Sequence, residues 1–137
     1  MRAVERLPWA ERRGSRHDEM CAAIAAHPER VFPGFAGEAR ASVEAPCGQG
    51  FIDVLVSTVA PPEEMRVAIV EVKTRGDTSS AGDILRQMKF YDQRMPLDAP
   101  VRMVLVVEDE MAVTSCMLAL LLHEGVDVLP IRYFEAA

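Results

Sequence analysis

The chain has 137 residues, 50% hydrophobic and 26% charged, a composition that fits one folded globular domain rather than a disordered chain. Its 15 Lys and Arg face 21 Asp and Glu, a net charge of −6, so indiscriminate coating of nucleic acid is excluded and any such contact has to be local. Apolar runs fall far short of the roughly 20 residues of a membrane span, and Cys21, Cys47 and Cys116 form neither a disulfide framework nor a zinc motif, so the expectation is a cytoplasmic chain with free thiols and no membrane partner.

Residues 1–14 show no periodicity and are expected to form an irregular arm, made basic by Arg2, Arg6, Arg12 and Arg13, ahead of a single domain over 15–137. Ser15 and Asp18 read as a capping box for a helix over 16–27 with Met20, Ala23, Ile24 and His27 inward, stopped by Pro28. After the Pro33-Gly34 turn, residues 38–44 alternate weakly and 51–59 strongly, with Ile52, Val54 and Val56 on one side and Asp53, Leu55 and Ser57 on the other. A turn at Pro61 to Glu64 leads to a Val- and Ile-rich strand over 66–74, so three consecutive strands predict an antiparallel meander.

Ser80 and Asp83 form a second capping box for a helix over 81–94, with Ile84, Met88, Tyr91 and Met95 in one stripe and Pro96 as its stop. Residues 101–107 read as a fully buried strand and 111–124 as an apolar helix closed by Gly125 in a left-handed cap. A last strand is expected over 126–134. The predicted order is αβββαβαβ, an α/β protein with a mixed sheet and helices on its faces.

Chemistry concentrates on the second and third strands. Glu71 and Lys73 are two apart, so the pleat points them to one face, and an adjacent strand can bring Asp53 alongside. Two carboxylates, the Val72 carbonyl and waters suit a hard cation such as Mg²⁺ or Mn²⁺, and an ammonium beside it can orient a water or stabilise charge developing on phosphorus. The alternative is a pair of exposed residues on the solvent face of an edge strand. His17, His27 and His123 lie far apart in sequence and suggest no histidine metal site, and Glu108-Asp109-Glu110 reads as a polar turn capping the next helix.

Asp53 in GFID followed by Glu71-Val72-Lys73 resembles the PD-(D/E)XK nuclease superfamily, over roughly residues 15–107. Ile52 stands where that pattern has proline. The resemblance implies a restriction-endonuclease-like fold, metal binding by Asp53 and Glu71 and water activation by Lys73. Gln87 and Tyr91, one turn apart on the following helix, look like the Q-x-x-x-Y signature of the RecB-like branch and imply substrate or carboxylate contacts, against the alternative that Tyr91 is core and Gln87 solvent-facing. Glu19, in a segment similar to the start of small Holliday-junction resolvases, is either a further metal ligand or a surface glutamate. The function implied is Mg²⁺-dependent hydrolysis of DNA phosphodiester bonds, with Arg12, Arg13, Arg16 and Arg75 as candidate DNA contacts and a homodimer or partner protein to extend the grip. The alternative is a catalytically silent scaffold subunit of a phage, mobile-element or restriction assembly.

Overall fold

The computed structural model describes residues 14–77, 79–95, 100–110 and 113–136. Along these the order is α1 (Gly14–Ala26), a 3-10 turn (Pro28–Val31), β1 (Ala39–Cys47), β2 (Gly50–Thr58), a 3-10 turn (Pro62–Glu64), β3 (Val67–Lys73), α2 (Ala81–Asp92), β4 (Val101–Val107), α3 (Ser115–His123), β5 (Val126–Pro130) and α4 (Arg132–Glu135). The five strands form one sheet in sequence order, antiparallel through β1–β2–β3 and parallel through β3–β4–β5. The expected meander and mixed sheet are therefore present. The parallel steps each carry a helix, α2 and α3, because a parallel strand pair requires a crossover.

Two apolar layers sandwich the sheet. On one face Val54, Val56, Ala68, Val70, Val72, Val104 and Val106 pack with Met20, Cys21 and Ile24 of α1 and with Ile131 and Phe134. On the other, Ile69, Leu105 and Val107 pack under Ile84, Leu85, Met88 and Tyr91 of α2 and Leu121 of α3. Every residue of β3 is buried, which places Glu71 and Lys73 on the central strand and removes the edge-strand alternative.

Several expected boundaries change. The helix α1 already contains Ser15, so Ser15 is not the residue preceding its first turn. Ile52 does not share a face with Val54 and Val56: it joins the α2-side core, while they join the α1-side core. The partner strand does the same, with Ala39 and Ala41 on one side and Ala45 and Cys47 on the other. The crossover falls at Glu44, whose left-handed φ of 54° breaks the alternation opposite Asp53. The last strand stops at Pro130, because Ile131 and Phe134, three apart, are helically spaced and both buried.

The second capping box is present: Ser80 Oγ accepts the Asp83 N–H at 3.1 Å and Asp83 accepts the Ser80 N–H in return. Thr114, not the acidic turn before it, caps α3 by accepting the Met117 N–H at 3.2 Å. Gly125 closes α3 at φ +83°, as its position after the helix predicts. Residues 1–13, with Arg12 and Arg13, lie outside the described residues, as do Pro96, Met111 and Ala112.

Candidate active site

The site sits where β2 and β3 part. Their antiparallel pairing runs from Ser57–Val67 to Val54–Val70. One step further, Asp53 Oδ2 accepts the Val72 N–H at 2.8 Å, so a side chain takes up the donor at the fork. A cavity of about 630 Å³ opens there, lined among others by His17, Asp53, Glu71, Lys73, Asp77 and Gln87. Asp53 is 3%, Glu71 7% and Lys73 5% exposed. Enclosing two carboxylates and an ammonium costs several kcal/mol per ion unless they are paired and hydrogen-bonded, so this concentration of charge is poorly explained by stability alone.

Lys73 is engaged by the loop between β3 and α2. Its Nζ donates to the carbonyls of Asp77 at 2.8 Å and Ser79 at 3.2 Å and lies 3.7 Å from Asp77 Oδ1. The lysine therefore pins the loop that borders the cavity. Asp77 and Ser79 are polar loop positions that no periodicity singles out.

Gln87 and Tyr91 divide the two roles that sequence leaves open. Gln87 lines the cavity and its Nε2 donates to Tyr91 Oη at 3.2 Å. Tyr91 is 4% exposed in the α2-side core, and its hydroxyl donates to the Phe51 carbonyl at 2.8 Å. It anchors β2 two residues before Asp53. The approach is close enough that a Cβ at Gly50 would fall 2.8 Å from the Tyr91 oxygen, so any larger residue there would push the tyrosine out of place.

Glu19 points away: its side chain is 65% exposed and 3.3 Å from Arg16. The residue of α1 that reaches the cavity is His17, with Nε2 3.3 Å from Asp53 Oδ2 and Nδ1 3.8 Å from Cys21 Sγ. A sequence signal for it exists, since His17, Met20, Cys21 and Ile24 follow the i, i+3, i+4, i+7 pattern of an inward face.

Of the arginines expected to meet DNA, Arg16 and Arg75 are paired with acids. Arg16 Nε donates to Glu108 Oε2 at 2.8 Å, and its other nitrogens lie within 3.4 Å of Glu19 and Glu135. The hydrogen bond to Glu108 raises the Arg16 pKa above its ordinary value. The Arg75 N–H, donated to Glu108 at 2.7 Å, and then Arg16 hold the Glu108 carboxyl below its ordinary range. Arg75 extends its guanidinium to Asp109 at 3.4 Å. The acidic turn is thus a clamp joining α1, β3 and β4, not a helix cap.

Among the described residues, no three His, Cys, Asp or Glu side chains converge into a metal-holding group. Of the three carboxylates that line the cavity, Asp77 lies 3.7 Å from Lys73 Nζ, and Asp53 and Glu71 are the buried pair. That set fits Mg²⁺ or Mn²⁺, which bind through one or two carboxylates and complete their shells with water and substrate phosphate, and it does not fit a closed zinc site. No helix among the described residues is long and apolar enough to cross a membrane. Compared with protein-family models, curated proteins and solved structures, the chain matches none of them.

Proposed function

We propose that the chain is a metal-dependent nuclease of the PD-(D/E)XK type, with a restriction-endonuclease-like fold, that hydrolyses phosphodiester bonds of DNA. The observation that carries this reading is the shared enclosure of Asp53, Glu71 and Lys73 around one cavity at the β2–β3 fork. Asp53 and Glu71 would hold Mg²⁺ or Mn²⁺, with the Val72 carbonyl as a further candidate oxygen. When bound, the metal supplies Lewis-acid polarisation of a phosphoryl oxygen and an acidified water.

The chain's own groups do the rest. Lys73 presents a positive charge to the attacking water and to the charge that builds on phosphorus. Gln87, exposed at the cavity rim, offers an amide to a phosphate or base, while Tyr91 holds the start of β2 so that Asp53 keeps its place. Cleavage of labelled linear, circular, single-stranded and four-way-junction DNA with Mg²⁺ or Mn²⁺ tests the reading. Metal-dependent cutting that disappears in Glu71→Gln is the expected result; cutting that survives both EDTA and that substitution sinks it.

A catalytically silent scaffold role is the second reading, favoured by the pairing of Arg16 with Glu108 and Glu135 and of Arg75 with Asp109. It predicts no cleavage by this chain, with or without a DNA-binding partner. The nuclease reading accommodates the same arrangement if a homodimer supplies the grip, so size-exclusion with light scattering belongs beside the cleavage panel.

A further inference from the structure

Arg16, Arg75, Arg86, Arg102 and Arg132 each meet a carboxylate. Arg94 is different: it is exposed, and among the described residues it makes no ion pair. We propose that Arg94 is a nucleic-acid-binding residue, holding a backbone phosphate of the strand whose scissile bond lies in the Asp53–Glu71–Lys73 cavity. This inference rests on the nuclease reading of that cavity, and it says where a chain of net charge −6 makes a local grip on a polyanion.

Position singles out Arg94 from the other arginines that lack a carboxylate. Arg30 donates to the carbonyls of Tyr133, Phe134 and Ala136. Arg40 pairs with Ser57, which pairs with Val67, and Arg66 directly precedes Val67, so both lie at the end of β3 opposite Lys73. Arg94 instead follows α2, the helix that puts Gln87 on the cavity wall, and sits roughly 10 Å further along its axis at 1.5 Å per residue.

A second element runs the same way. Residues 50–53 of β2 lie beyond the last β2–β3 pair, and they pass alongside α2: Tyr91 donates to the Phe51 carbonyl, and Gly50 packs against the Tyr91 ring. The next contact in line is Gly48 against Arg94. A wall made of α2 and the β1–β2 hairpin therefore leads from Asp53 and Gln87 to the Arg94 guanidinium.

The guanidinium is already held in place. It stacks on the Phe90 ring with its carbon 3.5 Å from the centroid, and its Nη1 donates to the Phe90 carbonyl at 3.1 Å. On its other side, a Cβ at Gly48 would fall 3.0 Å from Arg94 Cδ and Nε, so the turn passes there as bare backbone. A planar fork fixed in this way loses little further freedom when it meets a phosphate. A purely structural role, capping the C-terminal carbonyls of α2, uses one of the five N–H groups of the side chain. That role predicts a loss of stability and no change in how substrate capture responds to salt.

The experiment uses the full chain with Mn²⁺ and labelled single-stranded and duplex oligonucleotides. Cleavage kinetics over a salt series compare wild type, Arg94→Gln, Arg94→Lys and Arg86→Gln. On the oligonucleotide that the wild type cuts, Arg94→Gln is expected to lower kcat/KM roughly tenfold, chiefly through KM, and to make its log–log salt dependence shallower by about one. Arg94→Lys keeps the wild-type salt slope. Arg86→Gln, which removes an arginine of α2 already paired with Asp83, follows the wild type throughout. Wild-type kcat/KM and salt slope in Arg94→Gln overturn the inference and leave the nuclease reading standing. Phenylglyoxal modification of the wild type, read by mass spectrometry, needs no variant to fold. A bound phosphorothioate strand that resists cutting is expected to protect Arg94, and equal modification with and without that strand overturns the inference. A wild type that cuts neither oligonucleotide overturns the nuclease reading, and this inference with it.

Discussion

Asp53 Oδ2 accepts the Val72 N–H at 2.8 Å, so one carboxylate joins the two strands just where their backbone pairing ends. Asp53→Asn keeps an amide oxygen for that donor and should retain the fold while losing divalent-cation affinity. Asp53→Leu leaves the N–H enclosed without its acceptor and should cost about 1–3 kcal/mol. Urea denaturation paired with Mn²⁺ calorimetry separates the two, and unimpaired Mn²⁺ binding in Asp53→Asn is the result that would count against the site.

Glu71 and Lys73 predict different side effects of the same loss. Glu71→Gln preserves shape and should reduce cleavage at least roughly 100-fold with little change in unfolding. Lys73→Met should reduce cleavage as strongly, and it should also destabilise, because the carbonyls of Asp77 and Ser79 lose their donor. Thermal melts beside a cleavage assay check this; a Lys73→Met variant as stable as wild type would show that the loop does not depend on the ammonium.

Tyr91 and Gln87 should separate in the same way. Tyr91→Phe orphans the Phe51 carbonyl and is expected to cost about 1 kcal/mol or more, with cleavage affected only as far as β2 shifts. Gln87→Ala should leave stability nearly unchanged and weaken substrate binding, read as a higher KM.

Arg16 and Glu108 make a pH-dependent contribution to stability. The Glu108 carboxyl is held below its ordinary value of 4.5, first by the Arg75 N–H and then by Arg16. A lowered carboxyl pKa stabilises the fold above the unfolded value and loses that contribution as pH falls through the folded value. The melting-temperature difference between wild type and Glu108→Gln should therefore be full above pH 4.5 and shrink as the pH is lowered below it. Arg16→Ala should cost no more than about 1 kcal/mol, since such partly exposed pairs are screened, and the loss should diminish in high salt.

Much of the molecule is written in local pattern. Alternation in 51–58 and 67–73, the continuous run 101–107, the Ser80–Asp83 box and Gly125 each determine an element or its end, because strand and helix periods and caps act within a few residues. The spacing of Glu71 and Lys73 likewise determines that they share a face. What local pattern does not contain is the face crossover at Glu44 and Asp53, which sends the two ends of the β1–β2 hairpin into two separate cores. Nor does it contain the choice of His17 over Glu19: both lie on α1, and only the docking of that helix against the sheet brings one to Asp53 and leaves the other to solvent. The acids at Glu108, Asp109 and Glu135 are equally silent in sequence, since their partners Arg16 and Arg75 are distant along the chain. Sequence determined which residues could share a face, through steric periods that need no distant contact; the tertiary structure decided which charges meet, because burial and pairing depend on elements far apart in the chain.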